Sequence, residues 1–240
     1  MMRHAKGVSI GLDISQNYIS AVELELKGQE TTLSKSAIID VSGARLTPLL
    51  DAANLPAENG FKDIIKRLFE KAGINGKNIA LALPDGSAKT FLLEFEAIPS
   101  ENEKIIELVK WSLKNKKNIP FPVEEAVIDI QTIGPSDENK KTHSVLAAVI
   151  KKNVLNQYEE LIHDCGLNAE VIMPSFAATY NICHDKIAVE GSTLFFALSS
   201  NTLSVATLGN GAPRFYRTKA VDNENGELTT EVLASLNYYS

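Results

Sequence analysis

Two cysteines, one tryptophan and four histidines among 240 residues leave little material for several kinds of chemistry. Cys165 and Cys183 are too few for a disulfide framework and are compatible with a reducing compartment, so the cytoplasm is the expected location. Together with His163 and His184 they carry zinc-type donors, but no C-x-x-C or H-x-x-x-H pair is present. Positions 163 and 165 also fall on nearly opposite sides of a helix, which favours a surface histidine beside a small buried thiol. Long apolar runs are missing as well: the most apolar stretch, 194–198, has strand length, far short of the ~20 residues a membrane-spanning helix needs. Arg3 and Lys6 precede an apolar stretch that Gly11 interrupts and Asp13 ends, too short for a signal-peptide core, so no leader is expected. Positive charge is also in deficit, 24 Lys and Arg against 30 Asp and Glu for a net charge of −6. Without a global positive field to hold phosphodiester backbones, nucleic acid is not an expected partner. The remainder, 44% hydrophobic and 22% charged, is an ordinary globular composition for one large core or two smaller ones.

Alternation and turn residues predict strands at 8–12, 18–26 and 31–41, an antiparallel meander. After a polar loop, Phe61, Ile64, Ile65, Leu68 and Phe69 recur at helical spacing until Gly73, and 79–83 returns to strand. A strand at 90–98, a helix from about 100, strands at 126–133 and 144–150, a helix from 154 and a strand at 169–172 follow. That β-α-β-β-α-β order suits a ferredoxin-like split unit or a permuted relative. A helix at 175–183 then leads to strands at 193–198, 202–208 and 214–220 and a helical segment from near 227.

The opening meander thereby comes round again. At an offset of 184, Ser15, Asn17, Ser20 and Leu24 coincide with Ser199, Asn201, Ser204 and Leu208, which argues for an ancestral duplication. Gly11-Leu-Asp-Ile-Ser-Gln-Asn-Tyr-Ile-Ser-Ala-Val-Glu-Leu24 resembles the first phosphate loop of the actin-like ATPases, above all their pilus-assembly branch, PilM, where a glycine usually stands in place of Ser15. Asn118-Ile-Pro-Phe-Pro-Val-Glu-Glu125 is similar to the Pro-Phe-Pro stretch of that branch's inserted lobe, and the likeness continues through 145–150, 158–161 and 165–172. At the second loop the family's aspartate and glycine are replaced by Ala197 and Ser199. The short 221–227 connection leaves no room for the second small lobe, an abbreviation shared with the cytoplasmic regions of GspL and MshI.

The resemblance implies an α/β, actin-like (RNase H-like) duplicated framework. Residues 1–84 with 173–190 form its first lobe, 85–172 an inserted α+β lobe, and 191–240 a second lobe that is either reduced or truncated. It also implies a cytoplasmic adaptor of a type IV pilus or type II secretion machine at the inner face of the bacterial inner membrane. The implied partners are the cytoplasmic tail of a PilN-like inner-membrane protein and an assembly ATPase. ATP and magnesium are the implied cofactors: Asp13 would hold magnesium-bound water, with Ser15, Gln16 and Asn17, and in the second loop Ser199, Ser200 and Asn201, approaching phosphate oxygens. Read without the resemblance, Asp13 and Asn17 could equally shape a hairpin turn. Ala197 can offer neither metal contact nor base, so binding without hydrolysis is expected and a slow magnesium-dependent ATPase is the alternative. A third reading is a nucleotide-free platform that dimerises through the second lobe.

Other motifs lead nowhere chemical. Gly73-Ile-Asn-Gly-Lys77 has the wrong glycine spacing for a P-loop, and no G-x-G-x-x-G run follows a strand. Glu94 and Glu96 share one face of a strand whose other face is Phe91, Leu93 and Phe95, a solvated edge. Lys110, Lys114, Lys116 and Lys117 complement the carbonyl end of their helix or meet acidic headgroups or an acidic segment. Pro120, Phe121 and Pro122 either end that helix with Phe121 plugging the lobe's core or border a peptide groove. On the second view Pro120, Phe121, Pro122, Lys114 and Lys117 bind the partner's tail.

Overall fold

The computed structural model describes residues 9–27, 30–43, 46–56, 60–116, 119–133, 142–187, 191–209, 212–221 and 226–239. They fall into two compact units, one of residues 3–87 and 153–178, the other chiefly 88–152 and 179–240.

The first unit is built on a five-stranded sheet. β1 (Ile10–Ile14), β2 (Tyr18–Lys27) and β3 (Glu30–Asp40) form the expected meander, α1 (Phe61–Ala72) follows, and β4 (Asn78–Leu83) returns parallel to β1. Strict alternation buries Ile10, Leu12 and Ile14 of β1, Ile19 and Ala21 of β2, and Ile79, Leu81 and Leu83 of β4. α1 buries Phe61, Ile65, Leu68 and Phe69, the i, i+4, i+7, i+8 stripe of an amphipathic helix. It stops at Gly73, whose φ of 67° lets its amide and that of Ile74 bond to the carbonyls of Glu70 and Phe69. α3 (Lys152–Asp164) and β8 (Asn168–Pro174) complete the unit, β8 pairing parallel to β4 for the order β3-β2-β1-β4-β8.

That pairing corrects the expected 85–172 lobe. The strand at 169–172 belongs to the first unit's sheet, and the chain rejoins this unit at 153 rather than 173. A β-α-β-β-α-β order states which strands exist but not which neighbour each chooses. β8 is drawn to β4 because parallel strands extend a sheet through a helical crossover, here supplied by α3.

The polar loop before α1 is anchored. Asn54 is buried and donates through Nδ2 to the carbonyls of Leu49 (2.7 Å) and Ala52 (3.0 Å), while its Oδ1 accepts from the hydroxyls of Ser87 and Tyr158. Gln157 Oε1 accepts the amides of Asn54 and Leu55. Gly86 is required beneath this loop, because a Cβ there would lie 2.9 Å from the Pro48 carbonyl oxygen. Burial pushes the Tyr158 hydroxyl far above its ordinary titration range, so it stays a donor.

The second unit holds two three-stranded antiparallel sheets. One is β5-β7-β6, from β5 (Lys89–Phe95), β6 (Ala126–Ile133) and β7 (His143–Lys151), with α2 (Asn102–Lys116) burying Ile105, Val109, Ser112 and Leu113. The other is β11-β10-β9, from β9 (Ser192–Ser199), β10 (Thr202–Gly209) and β11 (Ala212–Ala220), and β11 runs close to β5. α5 (Glu227–Tyr239) lies on this second sheet, its Leu228 and Val232 closing a core of Leu203, Val205, Val221, Leu194 and Phe196. α4 (Ser175–Ile187) begins in the first unit and continues into the second. No helix among the described residues is long and apolar enough to cross a membrane.

Candidate functional site

β1, β4 and β8 are neighbours and run parallel, so their carboxyl ends share one edge of the sheet, the edge at which open α/β sheets take ligands. Three polar side chains stand there. Asp13 occupies the penultimate position of β1, opposite Ala82 of β4. Asp85 follows the end of β4 in a short 3-10 turn, and Ser175 opens α4 directly after β8. Ser175 Oγ donates to Asp13 Oδ1 at 2.6 Å, and the Phe176 amide donates to Asp85 Oδ1 at 2.8 Å. Asp85 thereby satisfies one of the amides that a helix leaves open at its first turn. Burial holds the Asp13 carboxyl above the usual carboxylate range, against hydrogen bonds from Ser175 and Tyr18 that favour the ionised form.

The turn after β1 is tightly made. Ser15 is buried and its amide donates to the Tyr18 carbonyl at 2.9 Å; Gln16 is half-buried and Asn17 exposed. The Asn17 carbonyl accepts the amide of Val41 at 2.8 Å, tying the turn to the end of β3.

The second meander repeats this construction. Asp13 faces Ser20 and Ile14 faces Ile19; at the offset of 184, Ala197 faces Ser204 and Leu198 faces Leu203. The ladder to the third strand slips between Glu23 and Leu24 in one meander and between Thr207 and Leu208 in the other, the same position in the repeat. The Asn201 carbonyl accepts the Val221 amide at 2.7 Å, matching Asn17 and Val41. Two features are not repeated. Ala197 puts a methyl group where Asp13 puts a carboxylate, and Ser200 has φ of 52° whereas its counterpart Gln16 has none of that left-handed character.

The partner segment is divided by burial. Phe121 is buried, with Lys151 Nζ 5.8 Å from its ring centre, as a side chain that plugs its unit's core would be. Pro120 and Pro122 are exposed. Lys114 is exposed and meets Glu124 at 3.0 Å, which, after the Glu124 backbone amide, holds that carboxyl below its usual range. Lys117 lies outside the described residues.

The family of the type IV pilus assembly protein PilM matches residues 11–236. The chain belongs to the PilM family. Among solved structures it is similar to a chain of the PilM-PilN type IV pilus biogenesis complex, with a TM-score of 0.77 at 18% identity, covering 95% of this chain and 66% of that one. It is also similar to the cytoplasmic domain of EpsL, an inner membrane component of the type II secretion system of Vibrio cholerae (TM-score 0.52, 10% identity, 88% of this chain and 70% of that one). A Bacteroides thetaiotaomicron protein with an actin-like ATPase fold matches at a TM-score of 0.54 and 10% identity, over 99% of this chain and 80% of that one. The expected actin-like α/β fold is therefore the fold of this PilM-family chain, which spans just under two thirds of the PilM-PilN complex chain.

Asp85 and Ser175 escaped the sequence reading. Both carried a signal: Pro84-Asp85-Gly86 is a turn at a strand's end, and Ser175 opens a helix. Applying the carboxyl-edge rule to every parallel strand would have found them.

Proposed function

We propose that this PilM-family chain is an adaptor of a type IV pilus or type II secretion assembly, acting on the cytoplasmic side of the inner membrane. It docks the cytoplasmic tail of a PilN-like membrane protein and passes its state to an assembly ATPase. The observation that carries this reading is the likeness over 95% of the chain to a chain of the PilM-PilN complex. We assign the docking strip to Lys114, Lys117, Pro120 and Pro122, with Phe121 holding the strip from beneath. The test is a titration with a synthetic peptide of the tail of its own PilN-like protein. Wild type binds, and Lys114→Glu weakens binding roughly fivefold or more through lost charge complementarity. A wild type that ignores the peptide overturns the reading.

The residues fit part of a magnesium-nucleotide site. Asp13 is a carboxylate at the ligand edge, held in place by the Ser175 hydroxyl, and would face magnesium-bound water. Ser15, Gln16 and Asn17 would meet phosphate oxygens at the first turn; the second turn carries Ser199, Ser200 and Asn201 at the corresponding repeat positions. The second turn brings no carboxylate, since Ala197 stands at that register. Binding without turnover is the consequence, because phosphoryl transfer relies on a positioned water and on charge stabilisation. The slow ATPase remains the competing reading and is separated from this one by measuring phosphate release.

A further inference from the structure

α2 buries one stripe, Ile105, Val109, Ser112 and Leu113, and lies against β6. Trp111 falls nearly opposite that stripe at 100° per residue and is 65% exposed. It is the only tryptophan of the chain. The layer that holds it, α2 with β5, β6 and β7, is made of residues 89–151 alone, so the outward station of Trp111 follows from how α2 packs on its own sheet. An indole at that station adds nothing to the core, whereas surface indoles are enriched among the anchors of protein contacts.

The flank around the indole is charged in a fixed order. Glu107, one turn before Trp111, and Lys114, one turn after it, share that flank, with half-buried Leu108 beside them. Lys114 meets Glu124 of the short turn Val123–Glu125 at 3.0 Å, which brings that turn, and the exposed Pro122 before it, against the end of α2. Acid, indole and base therefore stand in line over about 10 Å of helix, and the line continues into the strip of Lys114, Pro120 and Pro122.

We propose that Trp111 is the anchor on which the cytoplasmic tail of the PilN-like membrane protein docks. The tail crosses α2 in extended form, lays a bulky apolar side chain on the indole, and sets a cation toward Glu107 and a carboxylate toward Lys114. An extended chain rises about 3.3 Å per residue, so the cation and the carboxylate stand about three residues apart with the apolar anchor between them. This rests on the tail-docking reading above and names the chemistry of the segment that fits. The order of charge selects the occupant: segments beside a membrane span on its cytoplasmic side are rich in Lys and Arg, which supplies the cation. A lipid surface fits less well, because Glu107 would meet anionic headgroups beside the indole.

The test follows the emission of the sole tryptophan while the purified chain is titrated with a synthetic peptide of the tail of its own PilN-like protein, with binding read independently by calorimetry. The free chain is expected to emit as a water-exposed indole, and the emission moves to the blue and saturates with the calorimetric isotherm. Trp111→Ala weakens binding at least about tenfold and Trp111→Phe under about threefold, both with far-UV circular dichroism unchanged. Glu107→Lys weakens it roughly fivefold at low salt and less at high salt. A peptide that binds in the calorimeter without moving the emission, or as tightly to Trp111→Ala as to wild type, overturns the proposal and leaves the tail-docking reading standing. A wild type that ignores the peptide in the calorimeter overturns both. An emission already blue in the free chain, or a shift given by anionic phospholipid vesicles and not by the peptide, overturns the proposal as well.

Discussion

The two meanders have one construction and two chemistries. Register, ladder slip and the closing bond from the third strand to an asparagine carbonyl recur at equivalent positions, in one case ending in Asp13 and in the other in Ala197. The shared parts are those that backbone hydrogen bonding and burial impose on any meander of this length. The differing parts lie at the turn, where the side chain can change without disturbing the ladder. The flank of each meander's first strand differs as well: β1 has β4 as a parallel neighbour, and among the described residues β9 is laddered only to β10.

The largest expected effect probes that second difference. Ile14→Ala, at a site with no exposure, costs about 2–5 kcal/mol of unfolding free energy in denaturant titrations. The counterpart Leu198→Ala costs under about 0.5 kcal/mol, because half of that side chain is already in water. Equal costs would mean that the two strands share one environment.

Chemistry at the turn comes next. Asp13→Ala lowers magnesium-ATP affinity at least tenfold, about 1.4 kcal/mol, while Ala197→Ser leaves it within about twofold. A smaller effect tests the turn backbones. Ser200→Gly relieves a left-handed φ and stabilises by about 1 kcal/mol, whereas Gln16→Gly destabilises by about 0.5 kcal/mol. Both are read as shifts in the denaturant midpoint.

The smallest effect concerns pH. Burial raises the Asp13 carboxyl above its ordinary value of 3.8, so in the window above that value the folded state binds more protons than the unfolded one. Stability from this group is complete below 3.8 and is lost as pH rises through the folded value. Asp13→Asn therefore has the higher Tm at neutral pH, by a margin that shrinks on acidification. A margin that grows on acidification would mean that the carboxylate is stabilised by its neighbours.

Much of this was legible in the residues themselves. Alternating Ile and Leu mark β1, β4 and β9, and the recurrence of Ser, Asn, Ser and Leu at one offset marks both turns. Partnership across long stretches of chain escaped. Asp13 and Ser175 are 162 positions apart and Asp85 and Phe176 are 91 apart, so local periodicity carries no trace of either bond. β8 reads as a strand from its own residues, but its pairing with β4 joins Asn78 to Asn168, a separation that local periodicity does not register. Phe121 between two prolines suits a core plug and a groove wall equally; burial favours the plug for Phe121 and leaves Pro120 and Pro122 at the surface.

We propose that the first turn keeps a carboxylate where the second has Ala197, and that nucleotide is bound at the first turn without being consumed. A calorimetric titration of the purified chain with magnesium-ATP, with phosphate release followed in the same samples and Asp13→Ala alongside, tests this most directly. Saturable binding, no phosphate above background and loss of binding in the variant are the expected results. Phosphate release that disappears in Asp13→Ala, or the absence of any binding by wild type, would contradict the claim.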